Sequence, residues 1–285
     1  MSFAPHPALR CPLCKLPLKI ELATNSLCCG SQHSFDIARQ GYVNLLGAQD
    51  KRSRDPGDSK AMIRARRDFL EAAYYQQIAA ALQELLPTPL AADALVVDAG
   101  CGEGYYLQQL ATGLGSAGQA PPSLLGFDIS KWALQAAARR MEATWLVASN
   151  RNIPLEDQSV DVLLSLFGFP DYASFQRVLK PGGLMLVANS GPEHLLELRE
   201  VIYPRIKEKP DRQDAAPLAA GFSRLAQQPI NYRVPSIDQQ AISQLLIMTP
   251  HLFRATAEGK QRAADLSELA LTVDVELELW QKAAD

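Results

Sequence analysis

The segment that most constrains the fold is a short apolar run followed by three closely spaced glycines. The run, LVVDA, occupies residues 95–99, and glycines stand at positions 100, 102 and 104 before helix-like sequence over 105–114. A β-branched run of this kind is typical of a strand buried in a parallel sheet. Glycines permit positive φ angles and leave the backbone open to a ligand, while a helix start supplies unpaired N–H groups. The segment therefore predicts a binding turn at the carboxyl end of a central strand.

The next predicted strand, residues 123–128, supports a nucleotide-type ligand. It ends in Asp128, a carboxylate that can accept hydrogen bonds from two ribose hydroxyls, and Ile129 follows it. This pairing suits a dinucleotide or S-adenosylmethionine, and a purely structural glycine turn is the simpler alternative. A dinucleotide fingerprint has the spacing GxGxxG, but Tyr105 stands where its third glycine belongs.

The sequence from Asp98 to Gly104, DAGCGEG, resembles the first motif of class I methyltransferases, DxGxGxG. This resemblance favours S-adenosylmethionine as the ligand. It makes Asp98, Gly100, Gly102 and Gly104 candidate cofactor contacts, together with Asp128 and Ile129 on the neighbouring strand.

Length and charge limit the possible partners. The 285 residues suit one large domain with a small accessory one. The formal net charge is −3 and the predicted pI is about 5.9, so contact with a nucleic acid requires a local basic patch. No apolar run reaches the length of a membrane span, and the first residues lack a secretory signal pattern. We expect a cytoplasmic protein without a membrane partner.

Four of the five cysteines lie within the first 29 residues. Cys11 and Cys14 form a CxxC pair, and Cys28, Cys29 and His33 follow it. In a reducing cytoplasm this spacing favours a metal over disulfides, and three thiolates with one imidazole form a closed zinc site. Either Cys28 or Cys29 can supply the third thiolate, and the C-x3-H spacing to His33 favours Cys29. We interpret residues 1–48 as a ribbon stabilised by structural zinc; the alternative is a free thiol pair beside a surface histidine.

A hydrophilic linker over 49–59 precedes a predicted long amphipathic helix over 60–86. The linker carries Lys51, Arg52 and Arg54, which suits either a solvated hinge or a strip that contacts phosphates. The helix should bring Tyr74 or Tyr75 close to the glycine turn, although plain core packing is an alternative for both tyrosines.

Strands and helices alternate beyond the glycine turn, which predicts a parallel sheet with helices on its faces. The further predicted strands are 144–148, 160–166 and 184–189, and the helices are 131–141, 175–179 and 195–206. Asn150, in a polar loop at the carboxyl edge, is placed to read an adenine amino group. His194 opens a helix on the same side, where a simple polar cap is the alternative. We interpret residues 207–240 as a variable insertion and the alternation over 269–279 as a terminal antiparallel edge strand.

Three features together resemble one family: CPLC near the start, KRSRDPGDS before the long helix, and DAGCGEGYY with FDIS and LKPGG downstream. Across nearly its whole length the chain resembles the bacterial 23S rRNA (guanine-N1)-methyltransferases of the RlmA type. The resemblance implies an α/β fold, with a Rossmann-like class I methyltransferase domain over 60–285 and a small N-terminal zinc-ribbon domain. It implies S-adenosylmethionine and one structural zinc ion as cofactors, a 23S rRNA hairpin as substrate, and a homodimer.

Matching positions of the family motifs carry specific roles. The zinc ligands fall on Cys11, Cys14, Cys29 and His33. The cofactor contacts fall on Tyr75, Gly102, Glu103 and His194.

The loop over 166–171 departs from the family pattern, because its proline falls one place later than in relatives. Phe167 and Phe169 in this loop suit either stacking on the acceptor base or anchoring of the loop. No spacing rule selects a general base, although Asp161 and Asp171 are both in reach. Alternative functions are therefore methylation of another RNA or a small molecule, and RNA binding without catalysis. The cations expected to contact RNA are Arg10, Lys15, Lys19, Arg39, Lys51, Arg52, Arg54, Arg64 and Arg67.

Overall fold

A computed structural model describes residues 3–47, 49, 53, 55–116, 122–206 and 215–284. Within these ranges the chain forms eleven strands and ten α-helices. The strands are β1 (Leu18–Glu21), β2 (Ser26–Cys29), β3 (Ser34–Asp36), β4 (Val43–Asn44), β5 (Leu95–Ala99), β6 (Ser123–Asp128), β7 (Thr144–Val147), β8 (Val160–Leu166), β9 (Leu179–Ser190), β10 (Phe222–Asp238) and β11 (Glu268–Lys282). The helices are α1 (Lys60–Glu71), α2 (Gln76–Leu85), α3 (Tyr105–Ser116), α4 (Lys131–Arg140), α5 (Tyr172–Val178), α6 (Leu196–Ile202), α7 (Ala215–Ala219), α8 (Gln239–Met248), α9 (His251–Arg254) and α10 (Ala257–Ala264).

Eight strands form one mixed sheet in the order β10-β11-β9-β8-β5-β6-β7-β4. The neighbours from β9 to β4 pair in parallel, while β11 pairs antiparallel with both β9 and β10. Every residue of β5 is buried, which explains its continuous apolar sequence. The predicted parallel sheet is confirmed, and its carboxyl edge gathers the turns that follow β5, β6, β7, β8 and β9.

The ribbon is packed directly on the large sheet. Its three-stranded sheet, β1-β2-β3, is followed by β4, which pairs with Leu146 and Val147 of β7 and so extends the main sheet by one strand. Leu9 and Leu27 of the ribbon are fully buried and belong to the same apolar cluster as Leu146. The described part of the ribbon therefore contributes to the core of the larger domain.

The predicted single helix over 60–86 is wrong, because the chain breaks between α1 and α2. Ala73 has a φ of 64°, a left-handed conformation that ends a helix. The break turns Tyr75 into the core, where it is 5% exposed and its ring centroid lies 5.2 Å from that of Phe69. The hydroxyl of Tyr232 donates to the carbonyl of Tyr74 (2.6 Å) and closes the break from β10. The apolar repeat continued across the break, so the sequence showed no interruption.

Two predictions at the carboxyl-terminal end also need correction. Residues 222–238, expected to belong to an insertion, form the seventeen-residue strand β10, and this strand lies at the edge of the main sheet. The predicted strand over 269–279 is antiparallel as expected, but it lies between β9 and β10 and is not an edge strand. Most of β10 faces solvent, so its polar residues resemble a loop in sequence. None of the helices in the described ranges is long and apolar enough to span a membrane.

Candidate metal centre and cofactor site

Cys11, Cys14, Cys29 and His33 bring one ligand atom each into a single cluster whose atoms all lie within 4.8 Å of one another. The Nδ1 atom of His33 lies 3.5 Å from the Cys11 sulfur and 3.4 Å from the Cys29 sulfur, and the sulfurs of Cys14 and Cys29 are 3.5 Å apart. Tetrahedral ligands at zinc–sulfur bonds of about 2.3 Å are separated by roughly 3.5–3.8 Å. The cluster therefore fits a closed structural zinc site.

A backbone hydrogen bond favours the thiolate form of one cluster cysteine, whereas burial raises the pKa of another, Cys11. The amide of Leu16 donates to Cys14, and this hydrogen bond is the main reason that the pKa of Cys14 is lowered to about 6. A metal ligand must be a thiolate, and the lowered pKa of Cys14 favours that form. Cys28 points elsewhere, since its sulfur lies 3.4 Å from the Ser26 hydroxyl and 3.5 Å from that of Ser34. The geometry thus favours Cys29 over Cys28.

The glycine turn after β5 has an open side and a packed side. Gly100, Gly102 and Gly104 all have positive φ angles, of 84°, 55° and 83°. A Cβ at Gly100 would meet nothing within 4 Å, whereas one at Gly104 would lie 2.9 Å from the ring of Trp145. Gly104 therefore lets α3 pack on the sheet, and Gly100 leaves bare backbone facing free space.

Asp128 ties the two strand ends together. Its Oδ2 accepts a hydrogen bond from the Gly102 amide (3.0 Å) and its Oδ1 accepts one from the Ser130 amide (2.8 Å). A carboxylate has about four acceptor positions, so two remain for the hydroxyls of a ribose. Ile129 lies at the same strand end, where it contacts the linker at Gly57.

Asp98 is 2% exposed, and its Oδ1 atom has no hydrogen-bond partner among the described residues. Burial and, second, the charge of Asp128 raise the pKa of Asp98 to about 8. A carboxyl group held neutral in this way, at the end of the central strand, is the expected state of a group that awaits a charged or hydrogen-bonding ligand.

Asn150 has a comparable unsatisfied atom. Its Nδ2 donates to the carbonyl of Phe169 (2.8 Å), while its Oδ1 is buried with no partner among the described residues. A free amide oxygen at the carboxyl edge of β7 suits an exocyclic amino group, as on adenine.

Comparison with known proteins adds evidence independent of this geometry. A family model of the RlmA N-terminal zinc ribbon matches residues 9–54, and a methyltransferase-domain model matches residues 96–183. The Bacillus subtilis (strain 168) protein YxjB, assigned to the 23S rRNA (guanine-N(1)-)-methyltransferases, is 30% identical over 96% of each chain. A Micromonospora griseorubida protein of the same assignment is 34% identical over 92% of each chain. The 23S rRNA (guanine(748)-N(1))-methyltransferase of Streptomyces fradiae is 32% identical over 85% of this chain and 84% of its own.

The chain belongs to the 23S rRNA (guanine-N1)-methyltransferase family. Its fold, a Rossmann-like class I methyltransferase domain with an N-terminal zinc ribbon, is confirmed. The methyltransferase domain implies S-adenosylmethionine as cofactor, and the Cys3His cluster implies structural zinc.

In this methyltransferase, Tyr75 and His194 meet at the ends of distant elements. The Tyr75 hydroxyl and the His194 Nε2 are 3.2 Å apart, and the Nδ1 of His194 accepts from the amide of Asp274 (3.3 Å). The ring of Phe167 stacks on that of His194 with centroids 6.3 Å apart, and Tyr106 lies 6.2 Å from Phe167. These rings form an aromatic wall between the glycine turn and the loop after β8.

Glu103 lies behind the turn, where it forms a buried ion pair with Arg140. The Nη2 of Arg140 lies 2.5 Å from one carboxylate oxygen of Glu103. The other oxygen is buried without a hydrogen-bond partner among the described residues. The pair attaches the turn to the end of α4 and leaves one acceptor atom for a ligand.

Nothing in the sequence indicated that Arg66 lies beside the glycine turn, or that part of the linker packs on the end of β6. Arg66 pairs with Asp58 (2.6 Å), and its Nη1 lies 3.3 Å from the position that a Cβ at Gly102 would occupy. The carbonyl of Asp58 accepts from the Ser130 hydroxyl (2.6 Å), and Gly57 packs on Ser130 with a φ of 80°. Residues 55–59 therefore lie beside the glycine turn and the end of β6. Lys51, Arg52 and Arg54 of the predicted basic strip lie outside the described residues.

The two candidate general bases, Asp161 and Asp171, lie at opposite edges of the sheet. Asp161 is the second residue of β8, at the edge of the sheet opposite the glycine turn, where its carboxylate binds Lys180 (2.8 Å) and the amide of Leu95 (2.8 Å). This position does not support Asp161 as the general base. Asp171 follows β8 in the loop near the site and caps α5 by accepting from the amide of Ser174 (3.0 Å).

Several cations predicted to contact RNA already have protein partners. Arg10 forms an ion pair with Glu156 (2.5 Å), and its side chain is only 14% exposed. Lys15 donates to Asn152 (2.5 Å), and Asp68 pairs with both Arg64 and Arg67. Lys19 and Arg39 are exposed on the ribbon.

We predict that Asp98→Asn stabilises the cofactor-free protein at neutral pH while it weakens cofactor binding. The pKa of Asp98 is about 8 in the fold and 3.8 in a model peptide. Between those values the folded state binds a proton that the unfolded state has released, so the free energy of unfolding falls as pH rises from 4 to 8. An amide has no such titration, and the variant should gain roughly 1–4 kcal/mol at pH 7. Thermal unfolding from pH 5 to pH 8 measures this; equal pH slopes in both proteins would contradict it.

Proposed function

We propose that this protein transfers a methyl group from S-adenosylmethionine to N1 of a guanine in a 23S rRNA hairpin. The observation that carries the proposal is similarity to named 23S rRNA guanine-N1 methyltransferases that spans both ribbon and catalytic domain, up to 96% of the chain. A match to the methyltransferase core alone would leave the substrate open, whereas the ribbon is part of what these relatives share.

The residues at the carboxyl edge fit the parts of the cofactor. We assign Asp128 to the ribose hydroxyls, Asn150 Oδ1 to the adenine amino group, and the open backbone at Gly100 and Gly102 to close approach of the nucleoside. We assign Asp98 to the cofactor's amino group, and Tyr75 and His194 to the opposite side of the cofactor. S-adenosylmethionine itself supplies an electrophilic methyl group, so the protein's task is to align it with the acceptor and exclude water.

The loop after β8 is suited to hold the acceptor base. Phe169 is 88% exposed although it is aromatic, and Phe167 adopts a φ of 55° with its ring against His194. Strained, exposed residues of this kind concentrate at functional sites, and aromatic rings bind unstacked bases. A guanine N1 is hidden in a paired stem, so the enzyme must capture it unpaired or extrude it. We assign Phe167 and Phe169 to stacking on that base.

Affinity for RNA is proposed to depend on the basic strip of the linker, which precedes residues 55–59 in the sequence. Neutralising Lys51, Arg52 and Arg54 together should weaken RNA binding and flatten its salt dependence, by up to about three units of the log–log slope. Filter binding across a salt series measures the slope. Replacing three cations of α9 and α10, Arg254, Lys260 and Arg262, is the matched control. An unchanged slope in the linker variant would exclude the strip from the interface.

The remaining parts of the proposal are a cytoplasmic homodimer with a ribbon over 1–48, a linker over 49–59 and a methyltransferase domain over 60–285. They rest on the resemblance to the family. Light scattering of the purified protein tests the oligomeric state.

Methyl transfer to rRNA transcripts, followed by mapping of the modified nucleotide, tests the central proposal. We expect one guanine to be methylated at N1 in a hairpin of 23S rRNA. Modification of another RNA, or transfer only to a small molecule, would overturn the substrate assignment. Binding of S-adenosylmethionine and RNA without any transfer would show a non-catalytic relative.

A further inference from the structure

The ribbon contacts the loop that carries Asn150. The Nζ of Lys15, next to the zinc ligand Cys14, donates to the Oδ1 of Asn152 (2.5 Å), and the Nδ2 of Asn152 donates to the carbonyl of Pro12 (3.5 Å). Residues 150–152 form a single 3₁₀ turn. One asparagine therefore binds both sides of the CxxC turn and sits two residues from Asn150.

The CxxC turn fixes the direction in which Lys15 points. The backbone amide of Lys15 donates to the carbonyl of Cys11 (2.9 Å), and Lys15 has a φ of 63°, which is unusual for a residue with a side chain. Such a conformation persists when the surroundings determine it. Here Lys15 directly follows one cysteine of the metal cluster, Cys14, and its amide is hydrogen-bonded to another, Cys11. The position of the Lys15 side chain thus depends on an intact turn.

Backbone hydrogen bonds also join the ribbon to the segment that follows the Asn150 loop. The amide of Arg10 donates to the carbonyl of Pro154 (2.9 Å), and the amide of Glu156 donates to the carbonyl of Ala8 (2.9 Å). Leu9 and Leu155 form the bridge between these segments, and both side chains are buried. The chain that leads into the metal cluster is therefore paired with the chain that leaves the Asn150 loop.

On its other side the loop meets the acceptor-base region. Asn150 donates to the carbonyl of Phe169, and this bond orients its buried, unpartnered Oδ1. A hydrogen bond from the cofactor to this oxygen adds most to affinity when the loop is ordered before binding. Ordering the loop during binding would reduce affinity.

We propose that Lys15 and Asn152 are positioning residues that couple the zinc turn of the ribbon to the adenine-reading loop. The ribbon then contributes to cofactor affinity in the absence of RNA. This inference rests on the proposed function, in that it takes S-adenosylmethionine as the ligand of the Asn150 loop. It also assigns Lys15 an intramolecular contact instead of a contact to an RNA phosphate.

The test compares Lys15→Met with Lys19→Met in the full-length protein. Both changes remove one ammonium group from the ribbon, but Lys19 is exposed on β1, outside the CxxC turn. Calorimetry with S-adenosylmethionine and with S-adenosylhomocysteine, without RNA, should show affinity lowered about three- to tenfold for Lys15→Met and unchanged for Lys19→Met. Zinc content should stay at one ion per chain in both variants.

Substitutions at Asn152 provide a second test. Asn152→Ala should lower cofactor affinity to the same degree, and combining it with Lys15→Met should add little, as expected for one shared interaction. Asn152→Asp should restore binding, because a carboxylate still accepts from Lys15.

The outcomes are distinct. If Lys15→Met weakens RNA binding and leaves cofactor affinity unchanged, Lys15 is an RNA contact and the coupling is absent. Additive effects of the two changes would also overturn it. Failure of the wild-type protein to bind S-adenosylmethionine would instead contradict the proposed function.

Discussion

Asp128→Ala should lower the affinity of the protein for S-adenosylmethionine by about 100-fold or more. The substitution removes the acceptor for two ribose hydroxyls, and hydrogen bonds to a charged group contribute roughly 1.5–3 kcal/mol each. It also releases the amides of Gly102 and Ser130, which the carboxylate holds at 3.0 and 2.8 Å. Two effects therefore lower cofactor affinity: the contact to the ribose is missing, and the glycine turn is less ordered. Calorimetry with the cofactor and its demethylated product measures the loss.

Two variants make this result specific to the site. Asp128→Asn keeps the shape of the side chain but replaces one acceptor oxygen with a donor, so it should fall between wild type and alanine. Asp93→Ala removes an exposed carboxylate two residues before β5 and should leave affinity unchanged. Thermal unfolding of each variant verifies that the fold is intact. A change of less than fivefold for Asp128→Ala would remove Asp128 from the cofactor site.

Cys29→Ser should release zinc and unfold the ribbon. Closed zinc sites contribute about 10 kcal/mol or more to the folding of small zinc domains, and serine is a poor ligand in place of a thiolate. Because Leu9 and Leu27 of the ribbon share a cluster with Leu146 of the main sheet, unfolding of the ribbon would expose that face of the sheet. The melting temperature should fall sharply, and metal analysis should show less than one zinc ion per chain.

Cys28→Ser is the matched control for this result. Its sulfur lies beside the hydroxyls of Ser26 and Ser34, outside the metal cluster, so the variant should retain zinc and melt near wild type. The opposite pattern, with zinc lost from Cys28→Ser and kept by Cys29→Ser, would transfer the third ligand to Cys28.

The strands at the centre of the sheet were predictable because their burial leaves a direct pattern. A strand covered on both faces needs a continuous apolar run, and β5, β6 and β8 occur at the residues predicted. The edge strand β10 was not predictable, since its exposed face is occupied by polar residues as in a loop. The break at Ala73 was hidden for a different reason: a left-handed alanine leaves no signal in a helical apolar repeat.

In the site, too, features set by short sequence spacing were predicted, and contacts between distant segments were not. Short spacing in the sequence indicated the zinc cluster, whose ligands lie within 23 residues, and the glycine turn from Asp98 to Gly104. The structure then favoured Cys29 over Cys28 as the third thiolate. Contacts between distant segments were decided only by the fold, such as Arg66 above Gly102, Tyr75 against His194, and Lys15 on Asn152. The physical reason is that spacing along a chain fixes the geometry of a turn, whereas the meeting of side chains from separate elements depends on how those elements pack.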